Sequence, residues 1–324
     1  MNISIAGNTS LAYYCLNKLC RGGHKVVNVF ICGKNQIQTT DIADFTNLAG
    51  EFGLSIIKFP AGNGKAALKE TDLLLNLEWP SNLPLPIKPK IGTLTSNLAG
   101  QYNGENLYDI AADIYLGRKA IEVQLLLDES RLDDPSANQI IHEPPFFKVL
   151  SYAEFELTPL DDLRCAKAKA AGNLWMLLEK AIARIGKAGT IPQPLKREIN
   201  FSKTRVDRAI DWNKGAMYLH NFIRAFTHPG PGAYTWHDDS RLYVWRGHYF
   251  DLAEQYQEDT EPGTIIDIIE ELGIVVKTSH GTFLITRIQA AGMPELPAWI
   301  WAGDAHIVVG DKFQIINENE KVVA

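Results

Sequence analysis

A chain of 324 residues that is 46% hydrophobic and 22% charged has the composition of a globular protein, and its length suits two domains better than one core. Its net charge of -6 gives no general attraction to nucleic acid, and no apolar run reaches the length of a membrane span. The 4 cysteines, Cys15, Cys20, Cys32 and Cys165, form no CxxC pair and fit the reduced thiols of a cytoplasmic protein, not a metal site or disulfide framework. The opening "MNISIAGNTS" has no basic segment followed by an apolar one, so it reads as a first strand and not as a secretory signal. That strand ends at Gly7, and "SLAYYCLNKLCRGG" predicts a helix capped by Thr9 or Ser10 and stopped by Gly22 and Gly23. "KVVNVFIC" is a second strand, "TTDIADFTNLAGEFG" an amphipathic helix, and "LSIIKF", "DLLLNLE" and "PKIGTLT" are further strands. Strands alternating with helices imply crossovers and a parallel sheet, whose ligands bind beyond the carboxyl ends of its strands. The loop "IGTLTSNLAGQYNG", residues 91–104, falls at that place.

Next come a helix, "YDIAADIYLG", a long strand, "KAIEVQLLLDE", and a short one, "NQIIHE". "TPLDDLRCAKAKAAGNLWMLLEKAIARIGKAG" predicts one long helix, with Asp161 and Asp162 in its first turn and Gly186 and Gly189 at its end. The basic stretch "PLKREINFSKTRVDR" then reads as a solvated linker in preference to a phosphate-binding strip. Beyond it "GAMYLHNFIRAF" is a helix, and "LYVWRG", "GTIIDI", "GIVVKT" and "TFLITRIQ" are short strands, the last two forming a hairpin around "SHG". Trp299 and Trp301, spaced two apart, would share one side of an extended segment. The expected organisation is an α/β domain over residues 1–190, a linker over 191–206 and a small OB-like β-barrel over 207–324.

Several of these stretches resemble one family. "IDWNKGAMYLHNFIRAFTHPGPGAYTW", "PGTIIDI" and "GIVVKTSHGTFLITRIQ" are similar, in order and spacing, to the C-terminal module of the folate-dependent formyltransferases, which include the methionyl-tRNA and nucleotide-sugar enzymes. The opening strand–helix–strand and "GENLYDIAADIYLG" resemble the N-terminal part of the same family. The resemblance implies a Rossmann-like domain, N10-formyltetrahydrofolate as formyl donor, no metal, and transfer to an amine. The family's site is an Asn-x-His-Pro-Ser-Leu-Leu-Pro loop before a Tyr-x-Gly turn, with a later Asp. Asn and His supply donors to the developing oxyanion, and Asp orients the His.

Anchoring "QYNG" as that turn places Thr93 at the Asn position and Thr95 at the His position, with Ser96, Asn97 and Gly100 replacing further loop residues and Leu98 kept. The Asp position falls on Gln139, or on Ser136 with Asp133 and Asp134 nearby under a second anchoring. No histidine occurs between His24 and His142, so His142 is the nearest candidate for a transplanted imidazole, against an ordinary half-buried histidine. Thr93 and Thr95 are either hydrogen-bond donors in a remodelled site or strand residues packing at a sheet edge. Asn76, Glu78, Trp79, Asn97 and Leu98 fall where relatives hold the folate, and a packed turn is the alternative for Glu78 and Trp79.

Three functions stay open. They are formyl transfer to a small-molecule amine such as a nucleotide sugar, different chemistry on the same fold, and non-catalytic binding of a ligand or partner. Aminoacyl-tRNA is disfavoured, since the family's tRNA enzymes carry a long basic insertion after the second strand where this chain has only "GKNQIQTTDIADF". A nicotinamide cofactor is disfavoured because "AGNTSLAYY" lacks G-x-G-x-x-G. A homo-oligomer is compatible with the sequence, which does not set the oligomeric state.

Overall fold

The computed structural model describes residues 1–33, 41–59, 68–79, 83, 85–97, 102–103, 106–128, 147–199, 203–250 and 260–314. The described chain divides into two compact units. The first comprises Met1–Gln101, Lys119–Leu157 and Cys165–Ser202, and the second Tyr102–Arg118, Thr158–Arg164 and Lys203–Ala324.

The first unit is built on seven strands: β1 (Ile3–Ala6), β2 (Val26–Cys32), β3 (Ile56–Phe59), β4 (Leu73–Asn76), β5 (Gly92–Asn97), β8 (Ala120–Asp128) and β9 (Phe147–Glu156), where β6 (Tyr102–Asn103) and β7 (Asn106–Tyr108) lie in the second unit. Their order is β3-β2-β1-β4-β5-β8-β9. The first five are parallel, as the alternation of strands and helices requires. The last two run antiparallel, so the sheet is mixed. Central strands β1 and β4 are apolar-rich and wholly buried, the pattern of a sheet covered on both faces.

Helix α1 (Ser10–Arg21) follows β1 and starts where Thr9 caps it, its hydroxyl accepting from the Ala12 N–H at 3.5 Å. Helix α2 (Thr46–Phe52) has only two turns, shorter than the predicted amphipathic run. Gly7 links β1 to α1 with φ 148°, and a Cβ there would lie 2.1 Å from the Leu77 carbonyl oxygen. Only glycine lets the end of β1 come so close to the residue that follows β4.

The predicted long helix is α4 (Leu163–Ala188), and it begins later than its pattern suggests. Asp161 is not in its first turn. Its carboxylate accepts from the Thr158 N–H at 2.7 Å and the Thr158 hydroxyl at 2.8 Å, closing a separate turn ahead of the helix. Gly186 lies inside the helix, and the chain leaves it at Gly189, which has φ 71°.

In the second unit β6, β7 and β10 (Lys203–Arg205) form a small sheet beside helix α3 (Asp109–Tyr115). Helix α5 (Ala216–Phe226) packs its apolar side on β12 (Ser240–Phe250), the long strand of a second sheet. That sheet is antiparallel and orders β11 (Ala233–His237), β12, β15 (Thr282–Ala290), β14 (Gly273–Lys277) and β13 (Ile265–Ile269), with β16 (Leu296–Pro297) on β15. Among the described residues β11 and β13 do not pair with each other, and single bridges from Trp236 to Gln314 and from Thr264 to Lys312 tie the two edges of the sheet to residues 312–314. The β14–β15 hairpin turns at Gly281 with φ 79°, as predicted. Trp299 and Trp301 lie on helix α6 (Ala298–Asp304), not on an extended segment. At 3.6 residues per turn a spacing of two sends them to different sides, and only Trp301 is buried.

Candidate functional site

In a sheet ordered 3-2-1-4-5 the winding reverses between β1 and β4, and ligands are held at the carboxyl ends of the strands beside that reversal. Register partners across strands share a face, so the face is readable row by row. One row runs Asn28, Ser4, Leu74, Thr93 and Asp128; the next, nearer the carboxyl edge, runs Phe30, Ala6, Asn76, Thr95 and Leu126. Ala6, Phe30, Cys32, Ile57, Leu74 and Trp79 form one buried apolar cluster.

Strand β5 continues to Asn97, so Thr93 sits one pleat inside the sheet, 4% exposed, and Thr95 takes the edge position beside Asn76. The Thr95 hydroxyl is sealed from solvent and has no hydrogen-bond partner among the described residues. Such an orphan costs about 1–3 kcal/mol, and a ligand oxygen at the edge would satisfy it. Asn76, 5% exposed, turns its side-chain oxygen to the Trp79 N–H at 3.2 Å and so closes the turn after β4.

Glu78 occupies that turn with φ 59°, a left-handed conformation unusual for a residue with a side chain. Its carboxylate leaves the sheet edge for the Lys167 ammonium of α4, 3.2 Å away, and the same ammonium lies 2.7 Å from Asp41. All three side chains are nearly sealed, at 3%, 10% and 12% exposed for Glu78, Lys167 and Asp41. Burial pushes the Lys167 ammonium down, but the Glu78 and Asp41 charges outweigh it and hold its pKa above the ordinary lysine value. Burial likewise raises the Asp41 carboxyl, yet Lys167 and the Ser10 hydrogen bonds win and hold it below the ordinary range. Burial and the Glu78 charge push the Cys15 thiol up to about 12, so it is no nucleophile. Asp41 also accepts from the Ser10 N–H at 3.3 Å and the Ser10 hydroxyl at 2.9 Å. The start of α1, where a dinucleotide fold would place a phosphate, is thus filled by the chain's own carboxylate.

Of the residues singled out from sequence, Asn76 and Thr95 are register partners on adjacent strands, and Asn76 accepts from the Trp79 N–H. Trp79 is buried, its ring edge-on to Phe59 at 5.6 Å. Asn97 ends β5, while Leu98, Gln139 and His142 lie outside the described residues, as does the strand predicted at "NQIIHE". Asp41 and Lys167 were not anticipated. A lysine on the apolar stripe of α4, one turn from Leu163 and from Ala170, was the available signal.

The linker's basic residues are partly spent within their own units. Arg197 pairs with Glu122 and lies 3.8 Å over the Tyr152 ring, and Arg208 donates to the Pro231 and Gly232 carbonyls at 3.0 and 3.3 Å. In the second unit Trp212 donates to the Thr235 hydroxyl at 3.1 Å, and Arg224 binds the Thr158 and Asp161 carbonyls at 2.8 and 2.9 Å, both scaffold roles. Among the described residues no group of three His, Cys, Asp or Glu could hold a metal ion, and no helix is long and apolar enough to cross a membrane.

The described chain is of the α/β class, a mixed sheet with a winding reversal in the first unit and an antiparallel sheet in the second. Residues 203–305 match the formyl transferase C-terminal domain. The methionyl-tRNA formyltransferase of Symbiobacterium thermophilum is 31% identical over 140 residues, 42% of this chain and 42% of that protein. That of a Geobacillus species is 32% identical over 170 residues, 51% of this chain and 52% of that protein. The chain is thus similar to the folate-dependent formyltransferases in the matched third of its length and in the parts shared with these relatives. Its matches to these relatives span about half of their length or less. Two solved structures share the fold at low identity. HypX from Aquifex aeolicus in complex with tetrahydrofolic acid aligns with TM-score 0.58 and 14% identity, covering 98% of this chain and 51% of that one. The N-formyltransferase from Helicobacter canadensis, in complex with folinic acid and dTDP-3-aminofucose, aligns with TM-score 0.53 and 13% identity, covering 89% and 98%.

Proposed function

We propose that this protein binds a formylated reduced folate at the carboxyl edge of β4 and β5 and transfers its formyl group to the amine of a small molecule. The observation that carries the reading is the orphaned Thr95 hydroxyl beside Asn76, two polar groups on a buried edge with hydrogen-bonding capacity unspent. They fit a carbonyl oxygen better than a charged group, because neither can be ionised. The Glu78–Trp79 turn and the Asn97–Leu98 segment would flank the folate. Gln139, at the position of the relatives' carboxylate, would act only as a neutral hydrogen-bonding group, and His142 is the candidate imidazole for proton transfer. Thr93 is a less direct donor, one row inside the edge.

The likeness to formyltransferases supports the folate, and the folic ligands of the two fold neighbours agree with it. A small acceptor is favoured over aminoacyl-tRNA because Arg197 and Arg208 are already engaged within the chain and the basic insertion of tRNA enzymes is missing. The free thiols suit a cytoplasmic setting. Calorimetry with 10-formyl-5,8-dideazafolate, a stable formyl-folate analogue, tests the site, and formyl transfer from 10-formyltetrahydrofolate to dTDP-3-aminofucose or to methionyl-tRNA tests the acceptor. Binding of the analogue with turnover of the sugar is expected. Binding with no turnover of either acceptor would leave a ligand-binding descendant, and a His142→Ala protein with full turnover would remove His142 from the site.

A further inference from the structure

The side chain of Asn76 carries a second consequence. A carboxamide has one acceptor oxygen and a two-donor nitrogen, and its orientation follows from its partners. Here the partner is the backbone N–H of Trp79, which can only donate, so the Asn76 oxygen faces the turn and Nδ2 faces away from it. Nδ2 makes no hydrogen bond to any described residue, although Asn76 is buried. Its register partner across β4 and β5 is Thr95, on a strand about 4.8 Å away, whose hydroxyl is also unspent. Two donors this close on one face can converge on a single oxygen.

We propose that Asn76 Nδ2, with Thr95 Oγ1 as second donor, hydrogen-bonds the formyl oxygen of the bound folate and stabilises the negative charge that grows there during transfer. The assignment rests on the formyl-folate reading of this edge. It supplies from β4 an amide donor that position 93 of β5 lacks. In the transfer, the acceptor nitrogen bonds to the formyl carbon, the bond from that carbon to the folate nitrogen breaks, and one proton passes from the attacking to the departing nitrogen. Asn76 and Thr95 donate hydrogen bonds throughout and keep their own bonds unchanged.

Asn76→Asp separates this role from the turn, because a carboxylate still accepts from the Trp79 N–H but presents an oxygen where Nδ2 stood. The probe is 10-formyl-5,8-dideazafolate carrying a carbon-13 formyl group, read by isotope-edited infrared spectroscopy. Binding to the wild type should move the formyl C=O band to lower frequency. Asn76→Asp should lose most of that shift and lower turnover about 10²–10³-fold, the usual cost of one oxyanion donor. If Asn76→Asp binds the analogue too weakly to read, Thr95→Val carries the test, its band falling between the free and wild-type positions. An unshifted band in the wild-type complex, or variants whose band and turnover match the wild type, would overturn the assignment. A wild type that binds no analogue at all overturns the formyl-folate reading first, and this assignment with it.

Discussion

The same sheet face holds two buried polar groups of residues that differ in one respect. Toward the amino ends of the strands, the Asn28 amide donates to Ser4 Oγ at 3.0 Å and to the Lys69 carbonyl at 2.8 Å, and its oxygen accepts from the Lys69 N–H at 3.1 Å. Ser4 and Thr71 share a further hydrogen bond at 2.7 Å. Each side chain there is engaged with another part of the chain. One row along, at the carboxyl edge, Asn76 uses only its oxygen and Thr95 uses nothing. Burial of polar groups is tolerated when they are paired, so the first group is complete as folded and the second is complete only with something added. The comparison separates an asparagine fully engaged within the fold from one with its amide nitrogen unspent, although both are buried to a similar degree.

The largest effect that bears on it is expected beside the edge, at Lys167. This ammonium pairs with two sealed carboxylates, and Lys167→Met removes the cation that Asp41 and Glu78 share. Breaking a buried pair from one side costs about 3–5 kcal/mol. Denaturant unfolding should show a loss of that order; a loss within the error of the wild-type value would mean that water replaces the lysine. In the saturated group, Asn28→Ala strands the Lys69 N–H and removes a donor from Ser4 and the Lys69 carbonyl, while Ser4 and Thr71 keep their own bond, for a cost of about 1–3 kcal/mol. Its unfolding midpoint should fall while the analogue's affinity for the folded protein is unchanged. Weakened affinity at full folding would blur the distinction between the two groups.

A smaller effect is the pH dependence that the cluster imposes. Asp41 has a folded pKa below its ordinary value, so its contribution is present above about pH 4 and fades as pH falls through the depressed value. Lys167 is the opposite case. Its folded pKa is raised, so its contribution is full below about pH 10.4 and is lost as pH rises through the raised value. Between these limits Asp41 and Lys167 should add no slope to stability against pH. In Lys167→Met the acid-side slope due to Asp41 should shrink or change sign, which unfolding curves across the acid range would report.

Local pattern made much of this architecture legible. Strands β1 to β5 and helix α1 follow from apolar runs, the Thr9 cap and glycine stops. Where pattern failed, a side chain had taken a longer-range or competing partner. Asp161 turned back to Thr158 and delayed α4, and Trp299 and Trp301, read as sharing one side of an extended segment, lie on helix α6. The ion cluster joins residues 126 apart in sequence, and no spacing rule spans that gap. At the candidate site, the residue types were visible from sequence but their pairing was not. That Asn76 faces Thr95, with Thr93 one row inside, is a matter of strand register, which the chain sets through tertiary packing.

The smallest expected change in stability belongs to Thr95, and it is the most discriminating of the series. Valine has nearly the shape of threonine and keeps the β-branched fit to the strand, so Thr95→Val removes the hydroxyl and little else. At Ser4 or Thr71 such a change would break an existing hydrogen bond and destabilise the fold. At position 95 there is no bond to break, and the deletion relieves a desolvated group of its burden. Unfolding of the free protein should therefore be unchanged, or the protein should be more stable by up to about 1 kcal/mol. In the presence of 10-formyl-5,8-dideazafolate the order should reverse, with the wild type gaining more stability from the ligand than the variant does. A hydroxyl that costs stability without ligand and adds it with ligand is a binding group. If Thr95→Val is destabilised in both conditions, the hydroxyl has a partner within the folded chain and the carboxyl edge resembles the amino one.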